Sequence, residues 1–136
     1  MFEILEHTAD IGFRAWGDTP EELFANAALA LEEIACETGR AEPRQAYPIT
    51  ARGEDWESLL VAWLNEVLYY LDGKGVVMKR FDVRRAAPPE ASGEGWGEPR
   101  DAARHPPKLV VKGVTYHQLE VKQEDGRWTA RVFLDI

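Results

Sequence analysis

Apolar and polar residues change period several times along the chain, and each change marks an element. Phe2 to His7 and Ile11 to Gly17 read as two short strands, joined by a turn that holds Thr8, Ala9 and Asp10. The period then lengthens. Thr19-Pro20-Glu21-Glu22 sets Thr at an N-cap, Pro at the first helical position and Glu at the third, the pattern of a capping box. Leu23, Ala27, Ala30, Leu31 and Ile34 follow at helical spacing, and Gly39 offers a left-handed stop. Tyr47 to Arg52 reads as a strand.

A second helix is predicted from near Asp55 to Asp72-Gly73. Leu59, Leu60, Trp63, Leu64, Val67, Leu68 and Leu71 cover so much of its circumference that it must be largely buried, against a sheet. Val76 to Arg85 follows as a strand. Residues 86–107, rich in Pro, Gly and Ala and without periodicity, read as a long loop, and a loop of that length in a compact domain is often functional. Lys108 to Lys122 is long and β-branched, and Glu124-Asp125-Gly126 turns it into Arg127 to Asp135. In that last strand Trp128, Ala130, Val132 and Leu134 share one face, and Thr129, Arg131, Phe133 and Asp135 the other. With no repeat and no boundary, the pattern predicts one α+β domain over residues 1–136: two layers, a mixed or antiparallel sheet with two main helices on one face.

Composition adds less than charge. The 136 residues suffice for one domain with its own core, and 45% apolar content with five Trp excludes disorder. No apolar run approaches the roughly 20 residues of a membrane span. The first residues lack the basic and apolar regions of a signal peptide, so a cytoplasmic location is expected. Cys36, the single cysteine, cannot form an internal disulfide and falls on an apolar helix face, where a buried structural thiol is expected. The net charge of −8 opposes tight general binding of nucleic acid, because phosphate neutralisation needs clustered Lys and Arg. A metal or a cationic protein surface is the more natural complement.

Two places carry candidate chemistry. Asp10 sits at the tip of the first strand pair, and the last strand closes on Asp135 followed by the main-chain carboxylate of Ile136. Hard cations take oxygen ligands of this kind, but the residues alone leave open a solvated turn and a frayed end. His7, His105 and His117 show no zinc spacing. His7 is as readily a turn hydrogen-bonding residue as a functional one. Lys112 lies in a mostly apolar stretch, where a long cation either snorkels or neutralises an anion. No nucleotide-binding glycine loop has the required strand–loop–helix context, and no nucleophile–base set can be assembled.

Placed on these elements, the chain resembles the archease family almost end to end. The matching phrases are His7-Thr8-Ala9-Asp10-Ile11-Gly12, Thr19-Pro20-Glu21-Glu22-Leu23-Phe24-Ala25-Asn26-Ala27-Ala28, and Leu59 through Tyr69. Gly97-Glu98, Asp101, Arg104-His105, Lys112-Gly113-Val114-Thr115-Tyr116-His117 and Asp135-Ile136 complete them. Gly113 departs from the Ala often found after that Lys. The resemblance implies an accessory protein, not an enzyme, that activates the GTP-dependent RNA ligase of tRNA splicing. It would assist guanylylation of the ligase's histidine and so support multiple turnover. It also implies a divalent-cation site at Asp10, Asp135 and the main-chain oxygens of Ile136, with Ca²⁺ favoured over Mg²⁺ or Mn²⁺. Contacts to the ligase or its nucleotide are expected at Lys112, Glu98, Asp101, Arg104 and His105. A small metal-dependent hydrolase and a chaperone-like binding module are the rival classes, and the oligomeric state is left open.

Overall fold

A computed structural model describes residues 1–6 and 10–136. Two strands open the chain, β1 (Phe2–Glu6) and β2 (Asp10–Gly17), followed by helix α1 (Pro20–Ala35) and β3 (Gln45–Arg52). Helix α2 (Trp56–Leu68) ends in one π turn, Tyr69–Gly73. Four strands complete the chain: β4 (Val76–Ala87), β5 (Glu90–Pro99), β6 (Gly113–Glu124) and β7 (Arg127–Asp135).

Both helices start where the sequence predicts, at Thr19 and near Asp55. Thr19 Oγ1 accepts the Glu22 N–H at 3.1 Å, and Glu22 reaches back to the Asp18 N–H at 2.7 Å. Asp55 and Ser58 form a reciprocal capping box, each side chain accepting the other's backbone N–H. The stop of α1 differs from expectation. The helix ends at Ala35, and Cys36 turns extended to form a bridge with Pro107, so strand-like pairing ends the helix before Gly39.

The class is α+β, but the strands form two antiparallel sheets rather than one. The first has the order β1-β2-β7-β6 and the second β3-β5-β4. Helix α1 packs on β2 and β4, and α2 on β3 and β6, so each helix rests on a strand from each sheet. Phe13, Phe24, Leu60, Trp63, Val77 and Val132 belong to one buried cluster drawn from both helices and both sheets. Trp63 is wholly buried and satisfies its indole N–H on the Phe24 carbonyl at 3.1 Å.

The expected loop over residues 86–107 is corrected. β4 runs on to Ala87, turns over Pro88-Pro89 and returns as β5, the middle strand of the second sheet. The expected strand from Lys108 is also shorter. It begins at Gly113, and between Thr115 and Glu120 its register shifts around Gln118, whose φ is +52°. Lys112 therefore lies just ahead of β6 rather than within a strand.

Candidate functional site

β2 and β7 lie side by side at the centre of the first sheet, and their register decides what faces what. Ile11, Phe13 and Ala15 on β2 point into the core, as do Ala130, Val132 and Leu134 on β7. By strand alternation the intervening residues share the outer face. There Asp10 is paired with Asp135, Gly12 with Phe133, and Arg14 with Arg131. Residues directly opposite on an antiparallel pair have Cβ atoms about 4.5–5.5 Å apart. Two carboxylates distant in sequence are thus immediate neighbours at one corner of the sheet.

The same corner receives the segment before β6. Lys112 donates its backbone N–H to the Asp135 carbonyl at 2.7 Å, and Gly113 is the next register partner of Asp135. Lys112 is exposed, Asp135 is exposed and Asp10 is half-buried, while Ile136 follows the strand at 37% exposure. His7, Thr8 and Ala9, and with them the turn and the hydrogen bond expected of His7, lie outside the described residues.

Like charges directly opposite are destabilising unless something neutralises them. A hard cation does so with the oxygen chemistry that Asp10, Asp135 and main-chain carbonyls offer. Among the described residues no group of three or more His, Cys, Asp or Glu side chains is placed to hold a metal. Among the described residues the corner offers two carboxylates, to which main-chain oxygens and water can add ligands.

Glu98, Asp101, Arg104 and His105 are brought together elsewhere, at the end of β5 and the turn after it. Glu98 is 3% exposed and His105 fully buried, so these two face inward. The Asp101 N–H donates to His105 Nδ1 at 3.0 Å, which leaves the ring proton on Nε2, 2.9 Å from Glu98 Oε2. Glu98 also accepts from Arg104 at 2.9 Å, Arg44 at 3.2 Å and the Glu42 N–H at 3.0 Å. Burial alone would raise the Glu98 carboxyl, but the bonds from His105, Glu42 and Arg104 hold it below its ordinary value of 4.5. Asp101 is exposed and Arg104 half-buried, its guanidinium also donating to the Arg40 carbonyl at 2.7 Å. The network ties residues 98–105 to residues 40–44.

Sequence reading passed over Glu32. It lies on the buried side of α1, where Ala28 and Ala35 at helical spacing were the available signal. Its Oε1 accepts the Met78 N–H at 3.1 Å, while Oε2 is buried without a partner among the described residues. Burial pushes this carboxyl up to about 8, against the opposing pull of the Met78 bond and of Arg100. One turn on, burial and then Glu32 push the Cys36 thiol up to about 11, which makes it an inert core residue.

Residues 2–136 match the model of the Archease protein family. The chain belongs to the archease family. A protein archease of Methanopyrus kandleri is 40% identical over 142 residues, covering 99% of each chain. That of Pyrococcus furiosus is 40% identical over 140 residues, covering 100% of this chain and 99% of its own. The solution structure of Methanobacterium thermoautotrophicum protein 1598 matches with a TM-score of 0.85 and 36% identity, over 99% of this chain and 98% of that one. A Thermotoga maritima archease, described as a possible chaperone, has a TM-score of 0.66 over 97% of this chain and 94% of its own. At 20% identity it shares the fold. Archease membership makes the protein an accessory factor of RNA ligation or tRNA processing rather than an enzyme. Among the described residues no helix is long and apolar enough to cross a membrane.

Proposed function

We propose that this protein activates the GTP-dependent RNA-splicing ligase in the cytoplasm, assisting guanylylation of the ligase's own histidine so that it turns over repeatedly. A divalent cation, Ca²⁺ before Mg²⁺ or Mn²⁺, is held by Asp10 and Asp135 with main-chain oxygens of Ile136. The observation that carries this reading is the direct opposition of Asp10 and Asp135 across β2 and β7. When bound, the cation supplies a Lewis-acidic point for oxygens of the partner or its nucleotide. The protein's own part is positional. Sheet register sets the two carboxylates side by side, and the Lys112 N–H fixes the main chain at Asp135.

A net charge of −8 supports action on the ligase rather than on free tRNA. Exposure of Lys112 at the same corner supports a contact between its side chain and an anionic oxygen of the ligase or nucleotide. The test is radiolabelled GTP transfer to the cognate ligase, and joining of broken tRNA, each with and without this protein. Ligase-dependent multiple turnover is expected. Unaided RNA chemistry by this protein, or no effect on guanylylation, would overturn the reading in favour of a hydrolase or of a chaperone-like module.

A further inference from the structure

We propose that Phe133, seated over Gly12, is a positioning residue that holds Asp10 and Asp135 at the spacing a divalent cation requires. This rests on the cation site proposed above and names what builds it. The Asp pair is the last pair of the β2–β7 ladder, where strands fray, and its like charges push the strand ends apart. Something must oppose that push. Two residues inward on both strands, about 7 Å along the sheet, Phe133 faces Gly12 on the same face as the Asp pair.

Phe133 is only 2% exposed, although strand alternation turns it away from the face of β7 that carries Ala130, Val132 and Leu134. A Cβ added at Gly12 would lie 2.6 Å from Cδ1 and 2.7 Å from Cε1 of the Phe133 ring. The ring, together with the Val132 carbonyl oxygen at 2.8 Å, therefore occupies the space that any other residue at position 12 would fill. The shifted segment of β6 closes on it from the other side. His117 tilts against the ring at 6.1 Å between centroids. Thr115 Oγ1 donates to the Phe133 carbonyl at 3.1 Å and accepts the His117 N–H at 3.2 Å. These contacts join β2, β7 and β6 two residues inward from the Asp pair. Residues that orient metal ligands without touching the metal act in this way.

The experiment measures Tb³⁺ luminescence, with Ca²⁺ competition, on the full chain and on four variants. Phe133→Leu and Gly12→Ala disturb the seat from either side. Val132→Ala removes a core contact from the same strand on the opposite face, and Asp135→Asn removes a ligand. Phe133→Leu and Gly12→Ala are expected to weaken Tb³⁺ binding by about 10–100-fold. Val132→Ala should lower the melting temperature at least as much and keep the original affinity. If Phe133→Leu does not fold, Gly12→Ala alone decides. Unchanged affinity in the seat variants, with binding lost in Asp135→Asn, overturns the positioning role and leaves the cation site standing. Equal weakening in Val132→Ala also overturns it, since any loss of packing would then suffice. No saturable binding by the unaltered protein overturns the cation site and this inference with it.

Discussion

His105 Nε2 lies 2.9 Å from Glu98 Oε2, and the adjacent Arg104 donates to the other carboxylate oxygen at 2.9 Å. One buried carboxylate thus holds two consecutive side chains of the turn that follows β5. Glu98→Gln keeps the shape and removes the charge, leaving Arg104 without its buried counter-ion. A loss of about 2 kcal/mol is expected, the usual range for charged hydrogen bonds. Because the folded carboxyl titrates below 4.5, its contribution is complete above that value and is lost as pH falls through the lower one. The stability gap between wild type and Glu98→Gln in urea should therefore narrow sharply from pH 7 to pH 3. A gap of constant size would show that charge is not what Glu98 contributes.

Glu32 predicts the opposite slope. Its folded carboxyl titrates at about 8 against an ordinary 4.5, so between those values the folded state holds a proton that the unfolded state has released. Stability then declines as pH rises across that window, by at most about 1.4 kcal/mol per pH unit for one proton. Glu32→Gln, the isostere of the protonated form, should flatten the decline and be more stable than wild type at pH 8. Melting curves at pH 5 and pH 8 measure this, and parallel pH profiles for the two proteins would refute it.

The paired carboxylates predict a dependence on added cation. In chelator, Asp10→Asn should be as stable as wild type or up to about 1 kcal/mol more stable, because repulsion is relieved. With Ca²⁺ at 100 times its dissociation constant, wild type should gain about 2.7 kcal/mol while Asp10→Asn gains nothing. Equal responses of both proteins to Ca²⁺ would remove Asp10 from any cation site.

Lys112 predicts a separation of functions. Only its backbone N–H is bonded to Asp135, so Lys112→Ala leaves the corner built. Cation binding should be unchanged while activation of the ligase falls, and activation by wild type should weaken as salt rises. Loss of both together in Lys112→Ala would place the side chain in the metal site instead.

The start of α1 was legible because Thr19 and Glu22 are capping chemistry that acts over three residues, and that of α2 because the apolar helical run from Leu59 begins one turn after Asp55. β5 was not legible, for a physical reason. Its inward positions are Ala91, Gly93, Gly95 and Gly97, so its alternation is one of small against polar residues rather than apolar against polar. A Cβ at Gly97 would stand 1.9 Å from the Val77 carbonyl, and one at Gly93 2.3 Å from that of Asp82. The bulged neighbour β4 leaves no room for the side chains that would have announced a strand. The two carboxylates Asp10 and Asp135 were visible singly. Their opposition is a matter of register between distant strands, which no local pattern contains, and resemblance to a family was what joined them. The burial of Glu98 and His105 depends on a turn folding back on Arg40 to Arg44 and was equally beyond spacing.

The strand orders also separate the protein into a part closed by near neighbours and a part closed by distant ones. β3, β5 and β4 draw on residues 45–99, while the other sheet must bring residues 2–17 against residues 113–135. Loop-closure entropy grows with the length of chain enclosed, and non-local pairing is slow. The second sheet is expected to nucleate folding and the β2–β7 pairing to condense last, with Asp10 and Asp135 meeting as its outermost rung. A chain arrested short of that rung would keep most of its core and yet have nowhere to hold a cation, so cation capture would report that the final long-range closure is complete.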